Sequence, residues 1–238
     1  MRTLFIIPAR KGSKGIIGKN TINLFGKPLV SYSFDFVLKC KSKDDLICVS
    51  SNDESVIDIA KNHNIKVHFK RPENLATDFS SSYEFINHAI SFYESKGEIF
   101  ENICLLQPTS PIRNVSHFLE MKKKFVQESP DMIVSVKNVS ENPYFTMYRE
   151  EEGFLKKFIN NTNFTRRQDL PKIYNYNGSI YLFNVKAFEK NLNFDFKKIL
   201  KYVMTDEYSI DIDNEIDLVK AEYYLNKKKN LIQLKSHK

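Results

Sequence analysis

Apolar residues fill positions 3–7 with little polar interruption, stop at Pro8 and give way to glycines. A run of that length closed by proline predicts a strand buried on both faces that feeds a loop. Pro28 then predicts the first turn of a helix carrying Leu29, Tyr32, Phe36 and Val37 on one face. Residues 46–50 read as a second strand, and a helix from Glu54 follows with Ser51 or Asn52 as its cap. A short strand is expected over 66–69. Ser81-Ser82-Tyr83-Glu84 has the form of a capping box, and its helix is expected to bury Phe85, Ile86, Ala89, Ile90 and Tyr93. Residues 102–106 form the next apolar run, 118–127 have helical period, and 131–137 read as a strand.

The alternation lapses over 139–177, where the chain is aromatic, polar and short on helical period. This stretch is expected to leave the core and to lie over the site or reach a partner subunit. Strand character returns at 178–183 and 208–212, and 214–225 closes the pattern as a helix. Strands alternating with helices predict an α/β fold, a mostly parallel sheet with helices on both faces. Ligands of such sheets bind beyond the carboxyl ends of the strands, so Pro8, Ser50, Gln107 and Lys137 are expected to border the site.

A chain of 238 residues with 42% hydrophobic composition can bury one sizeable core. One domain over 1–228 is expected, followed by a basic tail over 229–238 that frays. The formal charge of +7 raises nucleic acid as a partner, but the lysines are scattered, as at 122–124, with no basic stripe among aromatics. A small anionic substrate accounts better for Arg10, Lys11, Lys14, Lys19 and the pair Arg166-Arg167. Cys40, Cys48 and Cys104 lack metal-like spacing and fit a reducing cytoplasm, while Pro8 cuts the first apolar run too short for a membrane span.

Four constellations could carry chemistry. Gly12 and Gly15 fall within four residues directly after the first strand, among Arg10, Ser13, Lys14, Lys19 and Asn20. Glycines let backbone N–H groups approach phosphate, and the cations would neutralise a polyanion; a solvated turn with surface lysines is the alternative. Asp211 and Asp213, two apart on an expected strand, would project to one side and suit Mg²⁺. Asp213 could equally cap the next helix. Gln107-Pro108-Thr109-Ser110-Pro111 with Arg113 is either a site loop at a strand end or a proline-stiffened turn. Arg166-Arg167, followed by Asn175-Tyr176-Asn177-Gly178, is either an anion clamp with a hydroxyl-reading amide or a charged loop and a turn. No histidine pair, cysteine–histidine pair or Ser/His/Asp order stands out among the five histidines, so no general base presents itself beyond the aspartates.

Taken together these strings resemble the cytidylyltransferases that activate N-acylneuraminate and related nonulosonic acids. The likeness is carried in order by Ile7-Pro8-Ala9-Arg10, Gly12-Ser13-Lys14-Gly15, Gly18-Lys19-Asn20, Gly26-Lys27-Pro28, Arg71-Pro72, Leu75-Ala76, residues 106–111 with Arg113, Arg167-Gln168, Asn177-Gly178 with Tyr181, and 209–213. The resemblance implies a Rossmann-like nucleotidyltransferase fold and a homodimer that exchanges the excursion between subunits. It implies CTP on Arg10, Gly12, Ser13, Lys14, Lys19 and Asn20, with Arg71, Ser80 and Ser81 also holding the nucleotide. It implies a sugar acid on Gln107, Arg167, Asn177 and Tyr181, Mg²⁺ on Asp211 and Asp213, and catalysis by Lys14, Arg10 and Asp211. A cytoplasmic role in making cell-surface polysaccharide follows from the same likeness. Ile17 and Tyr176 stand where relatives usually carry proline. The rivals are activation of the eight-carbon acid KDO, another sugar nucleotidyltransferase, and a nucleotide-binding module without catalysis.

Overall fold

The computed structural model describes residues 1–13, 15–159, 164, 166–191 and 194–236, excluding the side chains of Arg167 and of 231–236. Ten strands and six α-helices are described: β1 Thr3–Pro8, β2 Asn23–Leu24, β3 Lys27–Pro28, α1 Leu29–Cys40, β4 Leu46–Ser50, α2 Glu54–Asn62, α3 Ser82–Glu94, β5 Asn102–Leu105, α4 Val115–Glu128, β6 Met132–Asn138, β7 Tyr148–Glu151, β8 Phe154–Lys157, β9 Tyr174–Asn184, α5 Val185–Lys190, β10 Ile199–Val203 and α6 Glu215–Ser236.

Six strands form one sheet in the order β10-β6-β9-β5-β1-β4. β1 runs parallel to β4 and β5, and β10 runs parallel to β6. Only β9 is reversed, pairing antiparallel with β5 and with β6. The sheet is therefore mostly parallel, as expected, with one inverted strand near its middle.

The alternation in β1 sorts the core onto two faces. Phe5 and Ile7 pack with Val30, Phe34 and Val37 of α1, Val56 of α2 and Phe118 and Met121 of α4. Leu4 and Ile6 point the other way, to Phe85, Ile86, Ala89 and Ile90 of α3 and Phe188 of α5. Each fully buried Ile or Phe contributes about 1.5–3 kcal/mol of transfer free energy, so the double burial of β1 fixes its register firmly. Cys40, Cys48 and Cys104 belong to these clusters, and burial pushes the thiols of Cys40 and Cys48 up to about 12. They act as small apolar groups.

Several expectations need correction. No strand forms over 66–69. The α2 cap is Asp53, whose carboxylate accepts from Ser55 N, rather than Ser51 or Asn52. Residues 208–212 form no ladder; a 3-10 turn over Asp206–Tyr208 leads into irregular chain. The outer strand is instead β10. The closing helix passes the expected end at 225 and continues to Ser236. The capping box at Ser81 is present in full, with Ser81 Oγ accepting from Glu84 N and Glu84 accepting from Ser81 N at 2.6 Å.

The excursion leaves the sheet after Asn138 but is shorter than expected, because β9 begins at Tyr174 and takes 174–177 into the sheet. Its ends are pinned by the side-by-side pairs Lys137–Asn175 and Asn138–Tyr174 in β6 and β9, and between them lies the separate hairpin β7–β8. Among the described residues no helix is long and apolar enough to cross a membrane.

Candidate active site

A cavity of about 570 Å³ opens beyond the carboxyl ends of β1 and β5. Pro8, Arg10, Ser13, Gly15, Lys19 and Asn20 line it from the loop after β1. Gln107, Pro108 and Thr109 line it after β5, and Asp211 and Asp213 close it. Arg71, Thr77, Ser80, Ser82 and Phe85 form its far end. Of the four expected strand ends, Pro8 and Gln107 reach this cavity. Ser50 is buried beneath Arg71, and Lys137 lines a different recess with Asn175 and Val203.

A small third core explains why distant segments meet here. Ile16 of the glycine loop, Ile112, Ile210, Ile212 and Ala221 of α6 bury against one another with Leu24 and Leu29. Burying Ile210 and Ile212 leaves Asp211 and Asp213 on the opposite side, at the cavity. The two carboxylates converge as their spacing suggested, though on irregular backbone rather than a strand. Ile212 N donates to Thr109 O at 2.8 Å, which joins the aspartate segment to the proline-rich loop. Gly15 lies so close to Asp213 that any Cβ there would strike the Asp213 carbonyl oxygen.

The electrostatics are paired. Lys19 Nζ meets Asp213 Oδ1 at 2.9 Å, and Arg10 Nη2 meets Asp78 Oδ1 at 2.6 Å. Asn20 Nδ2 donates to Arg10 O at 3.1 Å, holding the loop's turn. Gly12 takes a φ of +80°, a conformation that favours glycine, but lies outside the cavity lining. Lys11 N donates to Asn52 Oδ1 at 2.7 Å, and Asn52 in turn donates to Glu73. Asp211 opens onto the cavity yet is crowded by protein atoms, and that burial, aided by Asp213 and Asp217, pushes its carboxyl above the usual range against the pull of Thr109 and Lys19.

Arg71 is buried and donates to Ser50 Oγ at 2.9 Å and Ser50 O at 2.6 Å, with its guanidinium over the Phe85 ring. Burial brings its pKa down to about 10. Arg113 holds the proline-rich loop from below: its guanidinium donates to Gln107 O, to Ser179 O and to Ser33 Oγ. It too is lowered to about 10 by burial.

The remaining expected residues divide. Ser80 lines the cavity, whereas Ser81 is spent on its helix cap and Ser82 takes the lining position. Asn177 is 2% exposed and its amide is committed, receiving Ser135 Oγ at 2.6 Å and donating to Ser209 Oγ at 3.0 Å. It ties β9 to β6 and to the aspartate segment instead of lining the cavity. The neighbouring Gly178, φ +72°, brings bare backbone against Ser110 Oγ, Gln107 Oε1 and Asp211 Oδ2. Tyr181 is raised to about 12, mainly by burial and then by Asp211, and its ring meets that of Tyr176 edge-on. Lys14 and the Arg167 side chain lie outside the described residues. Arg166 is in an exposed pair with Asp169. Thr77, Asp78 and Glu73 carried no signal in the sequence, being polar loop residues far from any glycine motif, and Asn52 was read only as a helix cap.

The cavity thus combines a glycine-turned cationic loop, twin carboxylates and a polar far end, a set suited to a phosphorylated ligand and a divalent cation. Residues 4–235 match the family model described as cytidylyltransferase. The chain is 31% identical over 239 residues to an N-acylneuraminate cytidylyltransferase of Streptococcus agalactiae, spanning 98% of this chain and 57% of that protein. It therefore spans little more than half the length of that relative. It is 31% identical to a pseudaminic acid cytidylyltransferase of Campylobacter jejuni, over 95% of this chain and 98% of that one. Its fold matches a CMP:2-keto-3-deoxy-manno-octonic acid synthetase complexed with CTP, with a TM-score of 0.68 at 13% identity over 96% of this chain and 100% of the other.

Proposed function

Because this chain belongs to the cytidylyltransferase family, we propose that it transfers CMP from CTP to the anomeric hydroxyl of a nonulosonic acid of the sialic type. The observation that carries the reading is the contact of Gly15 with Asp213, which puts the cationic loop and the twin carboxylates into one cavity. The relatives at 31% identity favour nine-carbon acids over KDO, whose synthetase shares the fold alone.

In this mechanism the anomeric oxygen attacks the α-phosphorus, the bond to the β-phosphate breaks, and pyrophosphate leaves. Such chemistry is mostly alignment and charge neutralisation. Arg10, Ser13 and Lys19, with Lys14, hold the triphosphate, and Arg71, Ser80 and Ser82 line the nucleoside end. Gln107 and the bare backbone of Gly178 border the acceptor end, with Tyr181 beside Asp211. Two neighbouring carboxylates, one of them disfavoured as an anion by burial, fit a cation that keeps water and phosphate ligands; Asp211 and Asp213 would hold Mg²⁺. When bound, that ion neutralises phosphate charge and acidifies the attacking hydroxyl.

The same reading makes the protein a cytoplasmic homodimer that supplies an activated sugar for surface polysaccharide. Buried free thiols suit a reducing compartment. Phe154 and Leu155, each 74% exposed on the β7–β8 hairpin, suit a partner subunit. The test is pyrophosphate release with CTP, Mg²⁺ and a panel of neuraminate, legionaminate, pseudaminate and KDO. Release with a nine-carbon acid, dependent on all three components, is expected; release with KDO alone, or none, overturns the proposal.

A further inference from the structure

The segment after the 3-10 turn Glu73–Leu75 is a compact knot at the cavity's far end. Ser80 Oγ donates to Asn74 O at 3.1 Å and lies 2.9 Å from Thr77 Oγ1, and Ser80 N donates to Thr77 O. At its outer turn stand Asp78 and Phe79, the latter 95% exposed. Arg10 reaches across from the glycine loop to this knot, donating to Asp78 Oδ1 at 2.6 Å and to Ala76 O at 3.5 Å. The guanidinium offered to the cavity is therefore already partnered by a carboxylate.

We propose that Asp78 is a built-in counter-ion of Arg10, a latch that an incoming triphosphate must displace, so that nucleotide affinity is set by this exchange. The inference rests on the reading of the cavity as a nucleoside triphosphate site. Serving both partners at once would hold the Asp78 carboxylate beside a phosphate of the same sign, well within a Debye length, where the two repel. The pair with Asp78 is half-exposed and singly charged, so it is the weaker of the two. Its release also frees the knot, with Phe79 at its tip, from the glycine loop. Asp78 is thus a positioning residue that acts through Arg10 on the phosphates and not on the base.

Titration calorimetry on the full chain with CTP and with cytidine separates the possibilities. Asp78→Asn is expected to bind CTP about five-fold more tightly than the natural protein, with cytidine affinity unchanged. Asp78→Glu, which restores the charge, is expected to bind CTP as the natural protein does. If the natural protein binds CTP while Asp78→Asn binds it equally or less well, the latch is wrong and the triphosphate site stands. An equal gain for cytidine also overturns the latch, because the effect is then not on phosphate. If the natural protein binds no CTP, both readings fall.

Discussion

Gly15 and Asp213, from opposite ends of the chain, touch backbone to backbone, and the space for a side chain at residue 15 is taken by the Asp213 carbonyl oxygen. Gly15→Ala must therefore push the glycine loop away from the aspartate segment. Displacements near 1 Å in a positioned site cost about 10²-fold. A fall of that order in kcat/KM, measured by pyrophosphate release, is the expected result, with far-ultraviolet dichroism unchanged.

Gly178 stands against Asp211, the other of the two aspartates. An added Cβ would press on Ser110 Oγ, Gln107 Oε1 and Asp211 Oδ2, on backbone with φ +72°. Gly178→Ala should destabilise by about 1–3 kcal/mol. It should raise KM for the sugar acid more than KM for CTP, a split that two-substrate kinetics reads directly.

Arg113 supports the cavity without entering it. Arg113→Met strands the acceptors Gln107 O, Ser179 O and Ser33 Oγ in the interior. A loss of about 2–4 kcal/mol is expected, partly offset by removal of a desolvated charge. For a chain of this size the melting temperature should drop by roughly 4–16 °C, measured by calorimetry.

The raised carboxyl of Asp211 gives a pH test. Its folded pKa lies above the unfolded one, so its contribution to stability is present at low pH and is lost as pH rises through the folded value. Asp211→Asn escapes that loss and should be more stable than the natural protein at neutral pH while losing turnover. The acid limb of kcat/KM should lie above the ordinary carboxylate range and move down as Mg²⁺ is raised. Unfolding curves and rate profiles across pH 4–8 give both readings.

Phe154→Asp with Leu155→Asp changes two exposed apolar groups on a hairpin that carries none of the main core. Sedimentation velocity should show a dimer in the natural protein and a monomer in the variant, with an unchanged melting transition at low concentration. A monomeric natural protein would remove the dimer.

Strong patterns were legible in the sequence: β1 with both faces buried, the α3 capping box with its five buried residues, and the shared direction of Asp211 and Asp213. The strand expected over 208–212 shows where pattern stops. Ile210 and Ile212 are buried as their alternation implies, but alternation reports one buried side, not a ladder partner, and here the bonds go to nearby turns and to Thr109. β10 was hidden for the converse reason. It is an edge strand with Ile199, Lys201 and Val203 outward, a mixed face that resembles a loop. Asn177 was legible as an important amide but not as a buried one, because its partners Ser135 and Ser209 lie far along the chain.

The excursion leaves and returns through adjacent rungs of β6 and β9, so its two ends sit next to each other whatever its length. Loop closure changes slowly with length, and among the described residues none between those rungs pairs with β1, β4 or β5. The segment is in effect an interchangeable cassette. It can be shortened or lengthened while the strands that carry the cavity keep their pairing.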